Sequence, residues 1–357
     1  MKSGMLVIFH NFDNRKSDAQ TYRDCVALAE TAEPLGFDFL MATEHHFTEY
    51  SMCPDNVDFL CYMAAKTSRI KLGPGAIIVP WNDPLRSASK MVMLDHLSQG
   101  RAVLGLGRGL ARIEYELFDL DMSKTRAQFD EGARMIKRAL ETGFIESDGP
   151  MYHQKRAPIR PAPFSTDWSD RIFCVGMSPD SVVEAGRIGG RLMTFSNLPW
   201  KVFRTKSLEP YLETYEQCHG KPPPPIVTGD LVIVHEDAER AEELARVHFT
   251  NYLQSVLKFY ELAGDHFSKA KGYESYAQEA EKIADADTQR KMEEGYLNGN
   301  LYGTPAQVVE KIAARRELLE HPFDVCAIFE PGGISLEDML ESARLFGTKV
   351  QPMIEHL

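Results

Sequence analysis

Phe39-Leu-Met-Ala-Thr-Glu-His-His-Phe47 is apolar for its first four residues and polar for most of the rest. The change reads as a buried strand whose C-terminal end carries Thr43, Glu44, His45 and His46. In a parallel α/β barrel, active sites are built at the C-terminal ends of the strands. Neighbouring strand residues face opposite sides, so the pattern predicts that one of the two histidines faces the barrel mouth. The string alone fits equally a strand end in which a carboxylate bonds an imidazole. The rest of the chain decides between these readings.

Working outward, apolar strand-length runs alternate with helical periods. Met5 to His10 is the strand before. Ser17 with Gln20 forms a capping box and opens a helix to about Glu33. A helix through Phe59 to Lys66 follows the histidines. Arg69 to Pro80 is the third strand, and Pro74-Gly75-Ala76 inside it marks a close approach to the backbone. Asp83 and Pro84 give an N-cap and a proline at the first helical position.

The fourth strand, Ala102 to Leu106, runs into Gly105-Leu-Gly-Arg108-Gly-Leu110. Three glycines in this stretch let a ligand approach the backbone, and Arg108 brings a cation. The spacing does not match a dinucleotide fingerprint. Glu114 to Asp121 reads as a connector, Lys124 to Thr142 as a long helix, and 143–170 as a Pro-rich loop.

The fifth strand, Arg171 to Gly176, leads into Met177-Ser-Pro-Asp-Ser181. Ser178 at the N-cap, Pro179 at the first helical position and Ser181 gather hydroxyls and free N–H groups at the positive end of a helix dipole. That is an anion cradle, although the same residues also make an ordinary cap.

Arg191 to Phe195 is the sixth strand, with Ser196, Asn197 and Trp200 at its exit. Ile226 to His235 is the seventh. Residues 264–300 are polar and read as a mobile lid or a solvated hairpin. Thr304-Pro-Ala-Gln307 restarts a helix. Phe323 to Phe329 is the last strand and ends in Glu330.

Eight strands alternating with helices across 357 residues predict one α/β domain over 1–357. The expected fold is a single (β/α)8 TIM barrel with an insertion near strands 7–8. His10, Glu44, His45, Trp81, Arg108, Met177, Ser178, Ser196, Asn197 and Glu330 then share one mouth. A phosphorylated cofactor explains the cation and the helix start there better than a bare metal does, and no metal is expected. A metal-dependent hydrolase would want His-x-His on a strand with further ligands at later strand ends; His235 ends a strand alone.

The net charge of −12 disfavours nucleic acid and anionic membranes as partners. The longest apolar runs are of strand length, too short to span a bilayer. Six scattered cysteines without a Cys-x-x-Cys fit a reducing cytoplasm.

The sequence resembles the bacterial luciferase-like flavin-dependent monooxygenases. The resemblance rests on Glu44-His-His-Phe-Thr-Glu49, Ala76-Ile-Ile-Val-Pro80, Leu94-Asp-X-Leu-Ser-X-Gly-Arg101, Gly105-Leu-Gly-Arg-Gly-Leu110 and Gly303-Thr-Pro-Ala-Gln-Val-Val-Glu-Lys-Ile312. It implies reduced FMN supplied by a separate flavin reductase, with O2 as co-substrate. The flavin would pass through a C4a-peroxyflavin that oxidises a lipophilic organic molecule such as an aldehyde or ketone. His45 matches the family's catalytic histidine, with Glu44 orienting it or balancing its charge.

By the same resemblance, Gly75-Ala76 falls at a non-prolyl cis peptide under the flavin ring. Gly107, Arg108, Leu110, Met177, Ser178 and Ser181 fall at cofactor-binding positions, the last three with Arg108 at the phosphate. Glu114 and Glu330 match acidic positions near the mouth and at the last strand end, and 264–300 matches a mobile active-site loop. Trp81 and Ser196 join them at the mouth by their strand-end positions. A homodimer through helices near 55–66 and 84–98 is implied as well.

Gly107 stands where the luciferase alpha chain has a cysteine, and Met177 where it has a carboxylate. Both departures argue against light emission. Two rivals remain: an F420-dependent hydride-transfer oxidoreductase on the same barrel, and a non-catalytic flavin-binding partner subunit, which would have no need of His45.

Overall fold

The computed structural model describes residues 1–195, 198–262, 264, 266–269 and 286–357. Its parallel strands are β1 (Ser3–Val7), β2 (Phe39–Ala42), β3 (Lys71–Pro74), β4 (Ile77–Ile78) and β5 (Leu104–Gly107). They continue, after the antiparallel hairpin β6 (Phe144–Asp148) and β7 (His153–Pro158), with β8 (Ile172–Val175), β9 (Arg191–Phe195), β10 (Ile226–Val234), β11 (Leu301–Gly303) and β12 (Phe323–Ile328).

The order in the sheet is β3-β2-β1-β12-β10-β9-β8-β5-β4, with β11 paired to the outer half of β10. Since β3 and β4 are successive pieces of one run, the sheet returns on itself and makes the expected barrel. β3 pairs with β2, and β4 with β5. Leu72 of β3 also bridges Ala102, just before β5.

The strands form because their apolar residues have nowhere else to go. All nine residues of β10 and all six of β12 are buried. Burying each large aliphatic side chain stabilises by roughly 1.5–3 kcal/mol. The helices are laid against the sheet by a matching period. In the helix Thr125–Thr142, Phe129, Ala133, Ile136 and Leu140 are buried at spacings of three and four.

The helix starts follow the capping signals in part. Ser17 accepts from the Gln20 N–H, but the Gln20 side chain bonds Asp24 instead of closing the box. Thr304 and Gln307 close theirs from both sides. Asp83 caps Arg86 with Pro84 at the first position.

Several boundaries differ from the sequence reading. The third strand is broken in two, with a cis peptide at Gly75-Ala76 between the pieces. The stretch 143–170 holds the β6–β7 hairpin as well as loop; its polar, largely exposed strands carry no apolar face to announce them. The connector after Leu110 contains a short helix, Arg112–Leu117.

Residues 265 and 270–285 of the expected lid at 264–300 lie outside the described residues, as do Ser196 and Asn197. Of the described part, Ala286–Gly299 is helical, and Arg246 on the helix Ala238–Phe259 pairs with Glu294 at 3.0 Å. Among the described residues no helix is long and apolar enough to cross a membrane.

The seam where β3 meets β5 explains two of the glycines. A Cβ on Gly105 would lie 1.9 Å from the Pro74 carbonyl oxygen, and one on Gly73 2.8 Å from that of Val103. What approaches these glycines is the neighbouring strand, whereas a ligand is the expectation from sequence at Gly105.

Candidate active site

β2 ends at Ala42, and Thr43 to Phe47 leave it as irregular chain, with Phe47 at φ +70°. Strand alternation therefore does not separate the two histidines. Both rings sit near Trp81, at centroid distances of 6.4 Å for His45 and 5.6 Å for His46. Their carboxylate partners divide them.

Glu114, fully buried on the short helix Arg112–Leu117, places Oε1 3.2 Å from His45 Nδ1. The same oxygen accepts the His46 backbone N–H at 2.8 Å. Glu44 turns the other way. It accepts from Ile78 N at 2.9 Å and Asn82 Nδ2 at 2.8 Å, and lies 3.5 Å from His46 Nε2. The expected Glu44–His45 pairing is thus replaced by Glu114–His45, and Glu44 holds the chain just beyond the Gly75-Ala76 bond. Asn56 helps there, donating to the carbonyls of Ala42 and Ala76 at 3.0 Å each.

His45 stands in a box of aromatic rings. Tyr50 and Phe259 meet it edge-on at 5.2 Å, and the Tyr260 hydroxyl is 3.4 Å from Nε2. A carboxylate facing Nδ1 requires the N–H there, so Nε2 is the nitrogen left to exchange a proton. Trp81 stacks on Phe118, and its indole N–H is buried without a hydrogen-bond partner among the described residues. That leaves a donor available to a ligand.

The glycine-rich strand end borders this box. A Cβ on Gly107 would lie 2.9 Å from Ile78 Cδ1 and 3.2 Å from Ala76 Cβ. A side chain at 107 would therefore crowd both, and Gly107 keeps that floor bare. Leu110 packs against the fully buried Phe267, as do Met122 and Leu262.

The anion cradle takes shape at the helix Pro179–Ile188. Ser178 is its N-cap by position, yet its hydroxyl caps no backbone N–H and lies 2.7 Å from that of Ser181. Arg126 donates to Ser181 Oγ at 3.1 Å. Asp180 is exposed, so its charge points away.

Arg108 is buried near Asp130, which also lies 3.7 Å from Arg126. Burial raises the Asp130 carboxyl above its usual range, against the pull of Arg126, Arg134 and Arg108. A helix start without a side-chain cap, two hydroxyls and arginines fit a phosphate. The free N–H groups expected there are fewer than the sequence suggests, because the Ser181 and Val182 N–H groups donate to the Ser178 carbonyl oxygen. Sequence reasoning missed Arg126, since a first-turn arginine on a long helix has no local signature.

Two predicted mouth residues engage neighbouring strand ends. Met177 turns its sulfur to the Phe195 N–H, 3.4 Å away. Glu330 is buried, accepting from the N–H groups of Ile8 and Phe9 and from the Cys25 thiol at 2.8 Å. Burial pushes its pKa up to about 7. It ties the chain just past β12 to the chain just past β1. No group of three His, Cys, Asp or Glu among the described residues is placed to hold a metal ion.

The sequence profile of the luciferase-like monooxygenases matches residues 1–321. The alkanal monooxygenase alpha chain of Photorhabdus laumondii is 24% identical over 347 residues, covering 95% of this chain and 94% of that one. The fold matches the oxygenating constituent of 3,6-diketocamphane monooxygenase from Pseudomonas putida, solved in complex with FMN. That match has a TM-score of 0.79 at 18% identity and covers 99% of this chain and 98% of that one. It also matches an F420-dependent secondary alcohol dehydrogenase, with a TM-score of 0.72 at 15% identity, covering 99% of each chain.

Proposed function

The chain belongs to the luciferase-like monooxygenase family, and from that we propose that it is the oxygenating component of a two-component flavin system. It takes reduced FMN from a separate reductase and uses O2 to oxidise a lipophilic organic substrate. The observation that carries this reading is one mouth with two ends: the Glu114–His45 pair in its aromatic box, and the Ser178–Ser181–Arg126 cradle with Arg108 near it.

Reduced flavin, when bound, supplies the two electrons that activate O2. The chain's own residues do the rest. Ser178, Ser181, Arg126 and Arg108 hold the phosphate. Ala76 and Gly107 give the ring a floor without bulk. His45 Nε2 holds or moves a proton, and Glu114 fixes its tautomer. Tyr50, Phe259, Tyr260 and Trp81 keep water from the reacting atoms. A homodimer is supported by exposed Tyr62, Met93 and Leu97 on the helices Asn56–Lys66 and Pro84–Leu97.

Stopped-flow absorbance tests the proposal. Protein loaded anaerobically with reduced FMN is mixed with oxygenated buffer, and the oxidised flavin band is followed. Its return should be much slower than for free FMN. A return at the free rate overturns the FMN reading. Tight binding of F420 in the same protein would then make hydride transfer the leading account.

A further inference from the structure

A cleft of about 460 Å³ opens beside the aromatic box. Phe12, Ile113, Tyr50 and Phe259 are among its walls. Tyr50 and Phe259 stack at 4.3 Å with 12° between their planes, and each also touches His45. The cleft is therefore one ring thickness from the candidate catalytic histidine.

His10 and Ser255 supply polar atoms to this cleft. His10 Nδ1 lies 2.8 Å from the Tyr50 carbonyl oxygen, so Nδ1 carries a proton. Burial lowers the His10 pKa, which keeps Nε2 unprotonated. Nε2 faces the Ser255 hydroxyl at 3.4 Å, and that hydroxyl has a nearer acceptor, the Asn251 carbonyl at 3.1 Å. One proton serves two acceptors. An acceptor is left over, and only a donor can satisfy it.

Both cations of the cleft wall are already paired. Lys258 meets Glu49 at 2.9 Å, and Arg112 forks onto Glu261 at 2.7 and 2.8 Å. An anionic ligand would have to break these pairs, whereas a neutral one would not. The volume lies within the range of roughly 300–1,000 Å³ typical of small-molecule sites.

We propose that this cleft is a holding subsite for the substrate, and that the substrate is a neutral, ring-bearing molecule with a hydroxyl group that donates to His10 Nε2. Flat walls take the ring, and the His10–Ser255 pair reads the hydroxyl. That the occupant is a substrate rests on the monooxygenase reading. That the cleft binds this class of molecule does not.

The test is calorimetric titration of the full-length protein, without flavin, using 2-naphthol and 2-methoxynaphthalene as probes. Naphthol should bind about tenfold tighter, the order expected of one hydrogen bond. His10→Phe should abolish the preference, and Ile113→Trp should abolish binding of both probes by filling the cleft. Thermal melts report folding, and the Ile113 variant decides if His10→Phe does not fold. Equal affinity for the two probes, or binding unchanged by Ile113→Trp, overturns the proposal. Naphthol selectivity in a protein that leaves flavin oxidation at the free rate would keep the subsite and discard the monooxygenase.

Discussion

His45 Nδ1 lies 3.2 Å from Oε1 of Glu114, and that one buried oxygen also accepts the His46 backbone N–H. A single carboxylate therefore fixes a ring and the chain that carries it. The carboxylate comes from a different barrel loop, 69 residues along the sequence from His45.

Removing this anchor should cost catalysis while leaving the cofactor bound. Glu114→Gln should change the rate at which bound reduced FMN reoxidises by about 10–100-fold, the usual scale for partners that orient a functional histidine. It should also shift the pH profile of that rate, and His45→Ala should remove the dependence altogether. FMN affinity should stay within about threefold in both, because neither residue touches the phosphate cradle. A Glu114→Gln protein with parent kinetics and parent pH profile would show that the contact does not position His45.

Arg126→Ala should weaken FMN binding by about 10–100-fold, the range for losing a charge-assisted hydrogen bond. Riboflavin, which lacks the phosphate, should bind the parent and the variant alike. Arg108→Ala should weaken FMN by about 1–3 kcal/mol. Fluorescence titration with the two flavins separates phosphate recognition from ring binding. Equal losses for both flavins would place Arg126 outside the phosphate site.

Asp130 should oppose the phosphate. It lies 3.7 Å from Arg126 and is also acted on by Arg108, Arg134 and Glu184. When ionised it competes with the phosphate for the same guanidinium. Asp130→Asn should therefore tighten FMN by about 3–10-fold at pH 8, the scale of a partly exposed ion pair. Burial raises the Asp130 carboxyl, so acid neutralises it early and the gain should shrink as pH falls. A gain that is independent of pH, or present with riboflavin, would contradict this.

Glu330 links stability to pH. Its folded pKa, about 7, is above the ordinary carboxyl value of 4.5. Folding therefore favours the protonated form. Below the unfolded value the contribution is fully present, and it is lost as pH rises through about 7. The loss is on the order of 3 kcal/mol. Glu330→Gln keeps an oxygen for the Ile8 and Phe9 N–H groups and removes the titration. Its melting temperature should change less than the parent's between pH 4.5 and 7.5. Parallel melting curves for the two proteins would show that Glu330 does not carry this linkage.

Much of the fold is legible because its signals are local. The four apolar residues of β2 stop where the polar string begins, and Asp83-Pro84 and Thr304-Pro305 each mark a helix start that the structure reproduces. Adjacency misleads where geometry is decided at long range. Glu44 precedes His45 in sequence and bonds Ile78 and Asn82 instead. The partner of His45 comes from a helix that reads as a connector. Arg126 reaches Ser181 across 55 residues, and no short motif encodes such a pairing. The β6–β7 hairpin escaped for the opposite reason, since its strands bury little and leave no periodic trace.

The broken third strand has a mechanical consequence. The barrel is fastened at one seam, where β3 grips β2, β4 grips β5, and Asn56 and Glu44 staple the gap between them. That seam is also the floor on which a flavin ring would rest. Loosening either staple would unzip the cylinder beneath its own cargo, so the hoop and the bench cannot be weakened separately.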